Sequence, residues 1–316
     1  MAVVKKEFTV PSSDGIHALA GMVFCPAGEI KGFFHIVHGM TEYIGRYERF
    51  MNDVAEAGYV CFGYDNLGHG HTAMDDSELG FIAEKNGWDL LAQDVRIFSD
   101  AVMKEYKPIN STTLPYCLMG HSMGSFIVRI AAEKYVTPDR LIIMGTGGSN
   151  PVAGLGIALT GIVKHIRGGR RVSPLVNALA FGNYNRRFEK ELSEAPSPWL
   201  TTDASIRKKY ADDKFCTFQF SVSAMGDLIR LTKYSNRNAW YKNLPKSIPV
   251  LLISGEEDPV GGYGKGVREV CEKLKQQQIN VKLILYPNAR HEILNDFTYG
   301  DTKRDILAFC ACDANA

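Results

Sequence analysis

Six short apolar runs recur along the chain, each far enough from the next to leave room for a helix: GFFHIV, YVCFGYD, LPYCLM, RLIIMG, IPVLLISG and VKLILYP. Runs this short and this free of charge read as strands buried on both faces, the signature of a parallel sheet. Two earlier segments, KEFTV and HALAGMVFCP, read as N-terminal strands. Between strands lie amphipathic stretches such as RYERFMNDVAEAG and GWDLLAQDVRIFSDAVMKEY, the second with Trp88, Leu91, Val95, Phe98 and Val102 on one stripe. The alternation predicts an α/β fold: a mostly parallel eight-stranded sheet covered by helices on both faces.

The pattern breaks between Asn150 and about Trp240, where helical signals continue without a buried strand, and it resumes at Ile248. This stretch opens with NPVAGLGIALTGIVKHIRGGRR. Asn150 reads as an N-cap and Pro151 as the first helical residue, with Val152, Leu155, Leu159, Ile162, Val163 and Ile166 on one face. The expected organisation is a core of residues 1–149 and 241–316 and a helical cap of residues 150–240. The cap should lie over the carboxyl edge of the sheet, where ligands bind in such folds.

Composition narrows the field. The chain has 316 residues, of which 45% are apolar, and a formal net charge of +1, so nothing points to nucleic acid. The opening MAVVKKEFTVPSSDG lacks the apolar core of a signal peptide, and no apolar run reaches transmembrane length. Seven cysteines, with Cys61, Cys117 and Cys271 in apolar or helical contexts, predict reduced thiols in a cytoplasmic protein. The CAC pair, Cys310 and Cys312, matches no metal site.

The third apolar run leads into GHSMG, with Ser122 between Gly120 and Gly124. A serine on a sharp strand-to-helix turn is pushed out above the sheet, and the flanking glycines lie too close for a Cβ. The context fits. LPYCLM follows the polar NSTT loop, and Phe126, Ile127, Ile130, Ala131 and Tyr135 follow at helical spacing. Ser122 is therefore the expected nucleophile. It needs a base, and the base needs an orienting acid, in the chain order serine, acid, histidine. His291, in YPNARHEILND, is the histidine that follows the cap. Asp258, in GEEDPVGGYG, is favoured as the acid because Pro259 biases it toward an extended conformation, with Glu257 as a substitute.

Backbone N–H groups of Met123 and of Met40, in HIVHGMTEYIGRY, are the expected oxyanion donors. His38 reads as a support for that loop rather than a base. His69 and His71, in YDNLGHGHT, lack the partners of a metal pair, and no metal or cofactor is expected.

HGMTEYIGRY, YDNLGHGHT, GHSMG, GEEDPVGGYGKGV and NARHEILND together resemble the monoacylglycerol lipase and lysophospholipase branch of the α/β-hydrolases. This group is often filed as serine aminopeptidase-like hydrolases. The similarity spans nearly the whole chain, including FGNYNRRFE and WLTTD in the cap, which resemble segments of bacterial members. It implies the same triad, Ser122, Asp258 and His291, and the same oxyanion donors, Met40 and Met123. Thr72 departs from the serine often found at its position.

The function this implies is hydrolysis of single-chain acyl esters through an acyl-enzyme. Leu155, Leu159 and Ile162 are the expected lining of the acyl pocket. The basic cluster Lys164 to Arg171 allows a transient contact with a membrane surface, although a solvated face explains it as well. An aminopeptidase or amidase on the same scaffold would need cap carboxylates for a free amine, for which Glu189, Glu191 and Glu194 are candidates. A non-catalytic sensor that kept the pocket is a third reading. A dehalogenase or epoxide hydrolase would want aspartate in place of Ser122.

Overall fold

The computed structural model describes residues 2–108, 114–181 and 183–311. The NSTT loop at 110–113 and Cys312 lie outside the described residues. Eight strands form one sheet: β1 (Val4–Pro11), β2 (Ala18–Cys25), β3 (Gly32–Val37), β4 (Tyr59–Tyr64), β5 (Tyr116–His121), β6 (Arg140–Met144), β7 (Val250–Gly255) and β8 (Val281–Tyr286). Their order is β1-β2-β4-β3-β5-β6-β7-β8. The first two are antiparallel and the six from β4 to β8 are parallel. Every residue of β3 to β7 is buried, which is why these strands carry continuous apolar runs instead of alternation.

Two apolar layers cover the sheet. On one face α2 (Gly87–Tyr106) and α3 (Met123–Lys134) bury Leu91, Val95, Phe98, Val102, Ile127 and Ile130. On the other, α1 (Glu48–Glu56) and the C-terminal α10 (Tyr299–Ala311) bury Phe50, Met51, Val54 and Ile306. α9 (Lys265–Gln276) packs beside β7 and β8 through Val267, Val270 and Leu274.

Between β6 and β7 the chain runs through α4 (Ala153–Arg167), α5 (Pro174–Phe181), a 3-10 stretch (Arg186–Ser193), α6 (Ala204–Asp212), α7 (Val222–Ser235) and α8 (Asn238–Asn243). This insertion is anchored at two places. Trp240, fully buried, donates its indole N–H to Arg129 O at 2.6 Å, and the Arg129 guanidinium lies 4.2 Å from the Trp240 ring. The WLTTD segment is stitched to the loop after β8: His291 N donates to Trp199 O at 3.4 Å and Glu292 N to Leu200 O at 2.7 Å. Thr201 Oγ1 adds a bond to Asn295 O at 2.7 Å.

The first helix of the insertion departs from expectation. α4 starts at Ala153; Asn150 and Pro151 form a turn before it, with Val152 N donating to Asn150 Oδ1 at 3.1 Å. Its large apolar side chains face outward. Leu155 is 73% exposed and Ile162 58%, and Leu159 is half-buried. The helix instead packs on α7 through small residues. Ala153 and Thr160 are buried, and a Cβ on Gly156 would come 3.1 Å from Ile229. Small residues let two helices approach closely, which a stripe of leucine and isoleucine would prevent.

Candidate active site

β5 ends at His121 and α3 begins at Met123, so Ser122 occupies the whole turn between strand and helix. Its φ of 53° and ψ of −119° are costly for any residue with a Cβ. The turn is held by Ser122 N donating to Met144 O at 3.0 Å and by Ser125 Oγ donating to Ser122 O at 2.6 Å. Both glycines of the motif are forced: a Cβ on Gly120 would run into Gly124 O, and one on Gly124 into Val37 O.

The loops after β7 and β8 bring Asp258 and His291 together. Asp258 Oδ2 lies 2.9 Å from His291 Nδ1, and both side chains are buried. A carboxylate only accepts, so Nδ1 carries the proton and Nε2 is left as the basic nitrogen. Val260 N and Ser254 Oγ, at 2.8 and 3.2 Å, also donate to Asp258. Glu257 is only partly buried and no bond links it to His291. Gly145, at φ 60°, leaves space for the rings of His121 and His291; a Cβ there would touch both at 3.2 Å.

Ser122, His291, Met40 and Met123 line one cavity of about 910 Å³. Met123 opens α3, so its N–H has no partner within the helix. Phe126 and Val260 from the core, and Phe181, Tyr184, Trp199 and Leu228 from the insertion, supply apolar walls. The Trp199 ring sits 5.1 Å from the His291 ring. Leu155, Leu159 and Ile162 are not part of this lining, which corrects the expectation drawn from their spacing. FGNYNRRFE, WLTTD, α6 and α7, rather than the α4 helix, bring insertion residues to the cavity.

A buried polar network flanks the site, and the sequence reading passed over it. Glu42, on the loop after β3, accepts from Gly39 N, from Tyr47 Oη at 2.9 Å and from Arg46 Nη1 at 3.1 Å. Arg46 also makes a two-pronged pair with Glu292, both bonds at 2.7 Å. His121 Nε2 faces the carbonyl of His291 at 3.2 Å, so it carries a proton. Its Nδ1 faces Glu42 Oε1 at 3.1 Å and Tyr47 Oη at 2.8 Å, and the Tyr47 hydroxyl has a single proton to share between Glu42 and Nδ1. The neighbouring Glu42 carboxylate favours the imidazolium form of His121. Burial opposes its charge, but the bond and charge of Glu42 and the charge of Glu292 raise its pKa nonetheless. Burial likewise opposes charge on Glu42, and His121 and Arg46 outweigh it, holding the carboxyl far below its usual range. The legible signals were Glu42 four residues before Arg46 and Glu292 directly after His291.

The other histidines fall apart as sites. His38 donates Nδ1–H to Gly39 O at 2.8 Å and accepts from Asn66 N at 2.9 Å, bracing the loop that carries Met40. His69 is buried, donates to Leu67 O at 2.9 Å, and burial pushes its pKa down to about 3. His71 is exposed. Thr72 uses the hydroxyl it shares with serine, donating to Asp65 O at 2.6 Å and accepting from Ala20 N at 2.9 Å. The six described cysteines are free thiols.

Residues 28–298 match the family described as serine aminopeptidase, S33. A monoacylglycerol lipase of Mycolicibacterium smegmatis is 21% identical over 91% of this chain and 93% of its own. A monoglyceride lipase of Saccharomyces cerevisiae is 25% identical over 92% and 89%. A thermostable carboxyl esterase from Bacillus coagulans, in complex with glycerol, superposes with a TM-score of 0.89 at 29% identity, covering 98% of each chain. The architecture is the α/β-hydrolase fold.

Proposed function

The chain belongs to the serine aminopeptidase S33 family of α/β-hydrolases, and on that premise we propose that it is a serine hydrolase cleaving carboxylic esters of single-chain acyl groups, monoacylglycerols first. One observation carries the reading: the buried Asp258–His291 bond, with His291 lining the same cavity as the elbow Ser122. Ser122 Oγ attacks the ester carbonyl as His291 Nε2 takes its proton. Asp258 stabilises the imidazolium, and the N–H groups of Met40 and Met123 hold the oxyanion. The imidazolium protonates the leaving alcohol, and a water activated by the same base releases the acid.

The walls suit a neutral lipid. Phe126, Phe181, Tyr184, Trp199 and Leu228 offer apolar surface for an acyl chain. In the polar corner beside the Met40 loop, Arg46 is paired with Glu42 and Glu292, and Arg207 with Glu191 and Glu194. A neutral alcohol such as glycerol fits that corner better than a phosphate would. The same pairs weigh against an aminopeptidase, because Glu191 and Glu194 are occupied and Glu189 is exposed. The outward apolar face of α4, with Leu155, Ile162 and Ile166 near Arg167 and Arg171, supports transient contact with a lipid surface. Among the described residues, no helix is long and apolar enough to cross a membrane.

The test is hydrolysis of p-nitrophenyl esters of graded chain length beside a monoacylglycerol, a lysophospholipid and an aminoacyl anilide. Wild type should prefer the monoacylglycerol, and Ser122→Ala should lose activity on the order of a millionfold. A preference for the anilide would reverse the substrate assignment. Residual Ser122→Ala activity within about tenfold of wild type would remove the nucleophile. A protein inert on all of these substrates, the anilide included, would support the sensor reading.

A further inference from the structure

Thr41 directly follows Met40 and adopts φ 51°, a left-handed conformation that costs energy for a β-branched residue. Such a conformation persists only where its surroundings impose it. The restraint comes from the helical insertion. Tyr210, on α6, places its hydroxyl 2.7 Å from Thr41 Oγ1 and 2.9 Å from Thr41 O, across a separation of 169 residues. Thr41 Oγ1 lies in turn 2.8 Å from Met40 O.

Two hydroxyl protons serve at most two of these three contacts: Tyr210 donates to Thr41 O or to Thr41 Oγ1, and Thr41 donates to Met40 O or to Tyr210 Oη. In every arrangement at least one proton ends on a peptide carbonyl of the Met40 loop. A second tie runs beside it, Tyr43 Oη donating to Asp213 Oδ2 at 3.0 Å, and the Arg46 guanidinium stacks 4.9 Å from the Tyr210 ring. On its other side the loop is held by the core, through Gly39 N on Glu42 and His38 on Gly39 O. The peptide carrying the Met40 N–H is thus held by the core through Gly39 O, and the residue after Met40 is held by the insertion at Thr41.

We propose that Tyr210 is a positioning residue that holds Thr41 left-handed and so aims the Met40 N–H, making the seating of α6 a condition for a competent oxyanion hole. This rests on the assignment of Met40 and Met123 as oxyanion donors. Tyr210 takes part in no proton transfer; burial, against the help of Thr41, pushes its hydroxyl pKa well above the ordinary tyrosine value, so it stays a neutral donor.

In Tyr210→Phe, kcat on a p-nitrophenyl ester should fall about tenfold, less than the hundredfold or more that follows deletion of an oxyanion donor. KM should stay within about twofold. A trifluoromethyl ketone bearing the same acyl chain forms a tetrahedral adduct with its oxyanion in the hole, and it should lose affinity by the same factor as kcat. Thr41→Val removes the Oγ1 contacts but leaves Tyr210 donating to Thr41 O, so it should lower both quantities by less than Tyr210→Phe does; it also carries the test if Tyr210→Phe fails to fold. The double variant should be no worse than the worse single. Wild-type kcat in the single variants, loss of kcat with undiminished ketone affinity, or additive loss in the double variant would each overturn the role of Tyr210. An active Ser122→Ala would instead remove the hydrolase reading beneath it, so an inactive Ser122→Ala beside an unaffected Tyr210→Phe separates the two failures.

Discussion

His121 donates its Nε2–H to the backbone carbonyl of His291 across 3.2 Å, so the residue before the proposed nucleophile holds the loop of the proposed base. The bond ties two loops that are 170 residues apart, and the pairing of His121 with Glu42 favours the charged form of the ring. Because the folded-state pKa of His121 is raised, its contribution to stability is complete below about pH 6.5, the unfolded value, and is lost as pH rises through the folded value. Glu42 behaves in the opposite sense: its contribution is complete above about pH 4.5 and fades as pH falls through its depressed folded value. His121→Gln should therefore be destabilised most near about pH 5.5 to 6.5 and approach wild type in alkaline solution. Urea unfolding of both proteins across that range is the measurement. A stability difference independent of pH would mean that His121 is neutral in the folded protein.

Asp258→Asn should keep the fold and lose about ten-thousandfold in kcat, because an amide facing Nδ1 favours the wrong imidazole tautomer. Glu257→Gln should leave kcat within about threefold, since no bond joins Glu257 to His291. Steady-state kinetics on one soluble ester decides the pair. The reverse ranking would move the acid to Glu257.

Acyl selectivity should respond inside the cavity and not on the outer face of α4. Leu228→Trp narrows the lining and should shift preference toward short esters by about ten- to two-hundredfold in relative kcat/KM. Leu155→Trp, at a solvent-facing position, should leave the chain-length profile on dissolved esters unchanged. A profile altered by Leu155→Trp and indifferent to Leu228→Trp would place the acyl chain against α4 after all.

Two glycine substitutions should act in opposite directions. Gly124→Ala drives a Cβ into Val37 O and should destabilise by at least about 2 kcal/mol, with the elbow displaced and kcat lowered more than about tenfold. Gly161→Ala, inside α4 with nothing within 4 Å of its new Cβ, should stabilise by about 0.5 to 1 kcal/mol. Thermal unfolding reads both. A tolerated Gly124→Ala would show that the strand-to-helix turn has more slack than its geometry implies.

The sequence alone was enough to determine the strands and the strand-to-helix turn at Ser122, because each is a local property. A strand buried on both faces must be apolar throughout, as β3 to β7 are. A turn with φ 53° at Ser122 must have glycines packed against it, as Gly120 and Gly124 are. The α4 helix shows where local reading ends. Periodicity establishes that Leu155, Leu159 and Ile162 share a face, but not which side of the helix its neighbour occupies. Here Gly156 and Thr160 allow α7 to approach closely, and the larger side chains are left outside. The pairing of Arg46 with Glu292, the stitching of Trp199 and Leu200 to the His291 loop, and the hold of Tyr210 on Thr41 were likewise decided only by the tertiary structure. Each joins residues that are far apart in sequence, and its strength depends on burial that exists only once the sheet and the insertion have closed on one another.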